Sequence, residues 1–232
     1  MGNRTAIVTG ASGGLGAEIS RRLASREHRV ALFARNRERL SGVAEELGSD
    51  RSMPLAVDIT DWSAVSSAVD TVATSWGGVD VVVANAGMAM SSSFVDEKGA
   101  PPDQWAAMVS TNVLGSALTA RASLPHLRRR GGHLVLIGSI SGTVTRPGSM
   151  YSVTKWAVSA LAESIRAEMA GSGVRVTIVH PGIIDTDILR PEHRDQPMLR
   201  VEDVSGAVMW ALEQPPHVDV GVVVVRPSGA AH

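Results

Sequence analysis

Cysteine is absent from the 232 residues, which removes disulfides, thiol nucleophiles and thiolate metal sites together while leaving the compartment open. Tyrosine occurs once, and lysine only at Lys98 and Lys155, so a catalytic phenol or amine has very few sources. No apolar run approaches the roughly 18 residues that span a bilayer. A formal net charge of -1 supplies no positive field for nucleic acid, and the run Arg128, Arg129, Arg130 is too short to supply one. That run precedes Gly131 and Gly132, where cations meet the unpaired carbonyls of a helix end. The seven histidines are scattered, with no paired spacing on one helix, so no metal site is expected. Strand-like apolar residues begin at Thr5 with no basic leader and apolar core ahead of them; a soluble, cytoplasmic protein is expected.

What is present is an alternation. Short β-rich runs stand at Thr5 to Thr9, Arg29 to Ala34, Pro54 to Val57, Val79 to Ala84, His133 to Gly138, Val174 to Val179 and Val220 to Val225. They are nearly continuous in apolar character, as expected where helices cover both faces of a parallel sheet. Helical patterns lie between them, such as Leu15, Ile19 and Leu23, or Val153, Ala157, Leu161 and Ile165. The pattern predicts an α/β, doubly wound parallel sheet of about seven strands in one domain over residues 1–232, undivided by linker or repeat. From Asp187 to Leu199, two prolines and the charged Glu192, His193, Arg194 and Asp195 break any period. This loop follows the sixth strand at the edge where such sheets bind ligands, so it reads as a short substrate lid or as a plain surface loop.

The first run leads straight into Thr9, Gly10, Ala11, Ser12, Gly13, Gly14, Leu15, Gly16, and then a helix. This is a dinucleotide-type turn. Gly10 permits the tight bend, Gly14 lets the backbone approach a pyrophosphate, and Gly16 allows close contact of helix and strand, with the helix dipole facing the phosphates. The pattern alone also occurs in structural turns; its position after the first strand favours the functional reading. No Gly-Lys-Ser/Thr follows, which excludes a triphosphatase loop. At the end of the second run, an NAD enzyme would place an acid against the adenosine ribose. Here stand Ala34, Arg35, Asn36 and Arg37, and a guanidinium suits a 2′-phosphate that a carboxylate would repel. NADP(H) is the expected cofactor.

Tyr151 and Lys155 are four apart on a helical pattern and share a face. A phenol ordinarily titrates near 10, and a neighbouring ammonium favours its phenolate; bringing it to neutrality takes roughly 4 kcal/mol. Upstream, Ser139 ends the fifth run at the ligand-binding edge, where its hydroxyl could hold a carbonyl oxygen near the phenol. A serine after a strand is also an ordinary turn residue, but the residues around Ser139 do not form the nucleophile elbow Gly-x-Ser-x-Gly of hydrolases.

On these motifs the chain resembles the short-chain dehydrogenase/reductase family, over nearly its whole length and in the family's order. Thr9, Gly10, Gly14 and Gly16 fit the family's glycine motif, Asp58 its adenine-contacting position, and Asn85, Ala86, Gly87 its Asn-Ala-Gly segment. Asn112, Ser139, Tyr151 and Lys155 fit its catalytic tetrad, and Pro181, Gly182, Ile184 and Thr186 its nicotinamide-binding turn. Ser12, Leu15, Arg35, Asn36 and Ile59 belong to the same cofactor-binding segments. The resemblance implies a Rossmann-type NADP(H)-dependent oxidoreductase, acting on a carbonyl or alcohol, in which Tyr151 gives the proton as NADPH delivers hydride. Ser139 would polarise the carbonyl, Lys155 would hold the nicotinamide ribose and assist the phenol, and Asn112 would fix a helix kink and a relay water. It also implies a homodimer or homotetramer packed through the helices beginning near Pro102 and Met150. The competing reading is a non-catalytic NADP(H)-binding sensor or scaffold, which would be expected to lack part of the tetrad.

The chain departs from the family pattern at Ala84, where an asparagine often precedes Asn-Ala-Gly, and in its short lid. Glu202, Asp203 and Val204, Pro215 to Val218, and Arg226 with Pro227 are similar, more loosely, to the branch holding NADP-dependent 3-hydroxy acid and clavulanate-type dehydrogenases. His180 reads as a strand-end residue. The five tryptophans read as core or interface anchors, and Met88, Met90 and Met150 as a pliable substrate wall or ordinary core filling.

Overall fold

The computed structural model describes residues 4–95, 99–186 and 196–229. Seven parallel strands form one sheet: β1 (Thr5–Thr9), β2 (Arg29–Ala34), β3 (Ser52–Ala56), β4 (Val81–Ala84), β5 (His133–Ile137), β6 (Arg175–Pro181) and β7 (Val222–Val225). The connecting helices are α1 (Gly14–Ser25), α2 (Arg37–Leu47), α3 (Trp62–Trp76), α4 (Pro102–Val109), α5 (Ser116–Arg130), α6 (Met150–Met169) and α7 (Val201–Leu212). Between α4 and α5 the helix widens to a π-helical segment, Ser110–Gly115. Across the sheet the order is β3-β2-β1-β4-β5-β6-β7. The chain winds outward from β1 to β3, then returns to place β4 on the other side of β1, and the crevice opens at the carboxyl ends where the winding reverses.

Each central strand is buried at nearly every position because it faces two cores. Successive side chains point to opposite faces. Ala6 and Val8 of β1 join Leu15, Ile19 and Leu23 of α1 and Val204 and Val208 of α7, while Ile7 joins Val65, Val69 and Val72 of α3 and Val158 and Ala162 of α6. The edge strands β3 and β7 instead alternate between more and less buried positions. Pro54 is tolerated in β3 because that strand pairs only with β2, so its missing N–H disrupts no second ladder.

Several boundaries differ from the sequence expectation for side-chain reasons. β4 begins at Val81 instead of Val79: the Asp80 carboxylate accepts the Thr5 amide at 2.8 Å and the Arg130 guanidinium at 3.1 Å. β3 starts earlier, at Ser52, whose hydroxyl donates to Gly48 O at 2.8 Å. β7 starts later, at Val222, after the Val220 and Gly221 carbonyls have accepted bonds from Thr177 and Arg166. On α6 the core-facing stripe is Val158, Ala162 and Ile165, and Val153 of the expected stripe is half exposed. Trp62, Trp156 and Trp210 are likewise about half exposed and anchor no core. The arginine run does end α5, where Gly131 takes the left-handed conformation at φ 58°. Among the described residues, no helix is long and apolar enough to cross a membrane.

Candidate active site

The glycine-rich turn is fixed by contacts that only glycine permits at two points. Gly10 has φ +67°, and a Cβ on Gly16 would lie 2.2 Å from the Gly10 carbonyl oxygen, so α1 presses directly on the turn. Thr9 ties this turn to the end of β4: its hydroxyl accepts the amides of Asn85 and Ala86, each at 3.0 Å, and Asn85 Nδ2 donates to the Thr9 carbonyl at 3.0 Å. α1 starts at Gly14 with no side-chain cap on its free amides. Such an uncapped end, facing a cavity, suits an anion.

One cavity of about 480 Å³ runs along the carboxyl ends of the strands. Gly10, Ser12, Gly14, Leu15, Gly16, Arg35, Asp58, Ile59, Asn85, Ala86 and Gly87 line it, as do Ser139, Tyr151, Lys155, Pro181, Gly182, Ile184 and Thr186. Two expected residues stand outside the lining. Asn36 caps α2, its side chain accepting the Arg39 amide at 2.9 Å. Asn112 lies behind the wall. Arg39, which sequence reasoning missed, does line the cavity, and its guanidinium comes within 3.9 Å of the place a Gly13 Cβ would take. Arg37 is not among the lining residues. On the Arg35 side, Asp58 accepts the Thr60 amide and hydroxyl at 2.9 and 2.8 Å, and these bonds hold its carboxyl below the usual range, with Arg35 adding to the effect.

The other stretch of the cavity is built on buried polar groups, each bonded to backbone. Lys155 is 6% exposed and donates to the Ile137 carbonyl at 2.9 Å; burial pushes its ammonium down to about 8. Its Nζ lies 5.8 Å from the Tyr151 ring centre. Asn112, 1% exposed, sits in the π-helical segment, accepts the Met88 amide at 2.8 Å, and donates to Met88 O at 2.9 Å and Thr154 Oγ1 at 3.0 Å. The wider turn thus lets one amide clamp the loop after β4 to the helix that carries Tyr151 and Lys155. Ser139 Oγ accepts the Ser141 amide at 3.1 Å, which leaves its own O–H to donate elsewhere.

His180 stands at the end of β6, as the sequence reading has it, and also contacts the site, which that reading did not anticipate. It is buried beneath Ser139, with Nδ1 placed 3.2 Å from the Ser139 amide and 2.9 Å from its carbonyl oxygen. Burial holds its imidazole below the ordinary histidine value, while the Ser139 bond opposes that shift. A Cβ on Gly138 would come within 2.5 Å of this ring. No local signal could reveal a contact between residues 41 apart. The lid expected over 187–199 falls mostly outside the described residues. Its described end returns to the site: Leu199 bonds Ile183 O at 2.8 Å, Asp185 bonds Leu199 O at 2.9 Å, and Gln196 lines the cavity.

The family model described as short chain dehydrogenase matches residues 4–197. A Staphylococcus aureus (strain USA300) protein, named an uncharacterized oxidoreductase, is 37% identical over 228 residues, or 97% of each chain. Among solved structures, an alcohol dehydrogenase from the archaeon Thermococcus sibiricus, complexed with 5-hydroxy-NADP, superposes with a TM-score of 0.89 at 29% identity, covering 99% of this chain and 98% of that one. A 3-ketoacyl-(acyl-carrier-protein) reductase from Brucella melitensis, complexed with NADH, gives a TM-score of 0.89 at 25% identity over 97% of each chain. With a match over residues 4–197 and a relative 37% identical across nearly its full length, the chain belongs to the short-chain dehydrogenase family.

Proposed function

We propose that the chain is an NADP(H)-dependent oxidoreductase that interconverts a carbonyl and the matching alcohol, with Tyr151 as the acid/base group. The observation that carries this reading is the single cavity that joins an uncapped glycine turn and two arginines to Ser139, Tyr151 and Lys155. The residues fit a dinucleotide. Gly13 and Gly14 leave their surface bare of side chains, and a Cβ on Gly87 would crowd Asn112 Oδ1 at 3.3 Å.

Gly14 to Gly16 would receive the pyrophosphate, Asp58 and Ile59 the adenine, and Asn85 to Gly87 with Pro181, Gly182, Ile184 and Thr186 the nicotinamide half. Arg35 and Arg39 favour a 2′-phosphate, since two guanidiniums offer parallel donors to its oxygens and no carboxylate ends β2 to repel it. When bound, NADPH supplies the hydride for carbonyl carbon and NADP⁺ accepts it in oxidation. Ser139 donates its free O–H to the carbonyl oxygen and holds it for Tyr151. The Tyr151 hydroxyl then gives that oxygen its proton, or takes one back in the reverse direction. Lys155, charged below about pH 8, favours the phenolate that remains. Asn112 and His180 keep the two hydroxyl-bearing elements in register.

The decisive experiment replaces Tyr151 by Phe and follows nicotinamide absorbance with a panel of ketones and alcohols. Turnover is expected to fall by at least a thousandfold while NADPH still binds; an active variant refutes the assignment, and a wild-type protein that binds NADPH without turning over any substrate supports the sensor reading. We further propose one domain with a lid at 187–199, assembled as a homodimer or homotetramer through the α4 and α6 regions. Half-exposed Val153 and Trp156 on α6 support that packing, and light scattering tests it.

A further inference from the structure

Arg146 lies between the short turn after β5 and the start of α6, and like Ser149 and Tyr151 it lines the cavity. It is exposed, and no carboxylate among the described residues pairs with it. In this it differs from Arg21, Arg22, Arg26, Arg130, Arg166 and Arg200, which each engage an aspartate or glutamate, and resembles Arg35 in the same cavity. It is also remote from the other cavity arginines. Arg35 follows β2 and Arg146 follows β5, and β1 and β4 stand between those strands. Three strand spacings amount to about 14 Å, too far for Arg146 to share a phosphate with Arg35.

The only described carboxylate on the cavity wall is Asp58, on the Arg35 side. An anion beside Tyr151 therefore meets a guanidinium and no like charge, with Met88 and Ala89 as apolar wall. One guanidinium balances one negative charge, and its fork matches a carboxylate. A phosphate dianion would call for a second cation, and Lys155 is already buried and bonded to Ile137.

We infer that Arg146 is a specificity residue that binds the carboxylate of the substrate, so that the natural substrates are hydroxy acids and oxo acids. The inference rests on the proposed function. In the reduction, the oxo carbon gains hydride from NADPH, its oxygen gains a proton from Tyr151, and the carboxylate passes through unchanged, giving hydroxy acid and NADP⁺ after one proton is taken from solvent.

The test measures NADP⁺-dependent oxidation of butanoic acids hydroxylated at carbon 2, 3 or 4, each against its methyl ester, with wild type, Arg146→Gln and Arg146→Lys. In wild type, the best acid should exceed its ester in kcat/KM by about 10- to 100-fold, the range of a hydrogen bond to a charged group. That acid-to-ester ratio should collapse in Arg146→Gln through KM, fall only partly in Arg146→Lys, and leave the affinity for NADPH unchanged. Equal turnover of acids and esters by wild type, or a ratio that Arg146→Gln does not alter, overturns the inference while the proposed function stands. A loss of NADPH affinity in Arg146→Gln assigns the residue to the cofactor and also overturns it. Failure of the proposed function looks different: Tyr151→Phe would remain active, or wild type would turn over neither acids, esters nor neutral ketones.

Discussion

Replacing Lys155 with methionine should make the cofactor-free protein more stable at neutral pH while abolishing turnover. Burial lowers the ammonium from 10.5 to about 8, so holding the charge inside the fold costs about 3 kcal/mol at pH 7. Methionine keeps the length without the charge. The Ile137 carbonyl loses its donor at 2.9 Å, which takes back about 1 to 2 kcal/mol, and a net gain of about 1 to 2 kcal/mol remains. The sign with pH is distinctive. Below about 8 both folded and unfolded wild-type chains carry the proton and the cost is constant; between about 8 and 10.5 only the unfolded chain does, so wild-type stability rises with pH through that window. Relative to Lys155→Met, wild type should gain about 2 kcal/mol from pH 7 to pH 9.5. Urea unfolding of both proteins at the two pH values measures it. Parallel pH dependences, or a wild type that weakens relative to the variant on alkalinisation, would refute the account of Lys155 as a buried, desolvated cation.

Gly16→Ala places a Cβ 2.2 Å from the Gly10 carbonyl oxygen, a backbone atom; urea unfolding should show a loss of about 3 kcal/mol or more, together with loss of NADPH binding. By contrast, Gly42→Ala in α2 meets nothing within 4 Å, and the same assay should show a gain of about 0.5 to 1 kcal/mol from helix propensity and a stiffer unfolded chain. His133 bonds Thr177 Oγ1 at 2.7 Å and burial depresses its imidazole to about 3. The unfolded chain takes up a proton below about 6.5 that the folded chain refuses, so stability is lost as pH falls from 6.5 toward 3, by about 4 kcal/mol in all. His133→Gln should flatten the acid limb of the stability profile, and an unchanged limb would contradict this. Arg35→Glu and Arg39→Glu should each weaken NADPH binding at least tenfold and NADH binding far less, by fluorescence titration; equal losses for both cofactors would remove the 2′-phosphate from the argument.

The fold was legible where burial was uniform. β1 and β2 end where the sequence places them, because a strand covered on both faces is largely apolar and stops before the first glycine or arginine that follows it. At β3, β4 and β7 the boundary depends on whether a side chain such as Ser52, Asp80 or Thr177 takes over a backbone bond, and apolar pattern does not encode that choice. The site followed the same division. Tyr151 and Lys155 could be paired from spacing, since a four-residue interval fixes a shared face. Choosing Arg39 over Arg37 required the phase of α2, because two residues rotate the direction by about 200°. Asn36 as helix cap would have supplied that phase, had it been read as a cap and not as a cofactor ligand.

Asn112 and His180 explain why the chemistry sits on such a constrained wall. Buried polar groups are costly unless bonded, and here each spends its bonds on the backbone of a different element: Asn112 on the loop after β4, Lys155 on the end of β5, His180 on Ser139. A bond of this kind stabilises the fold and sets a position at once. The elements bearing Ser139 and Tyr151 come from opposite ends of a 13-residue stretch, and neither holds its place through apolar packing alone. Removing Asn112 would unclamp the Met88 loop from Thr154 on α6, so its effect on turnover should exceed its effect on stability. The catalytic pair is thus recognisable in sequence, while its geometry is written in polar contacts made across long sequence distances.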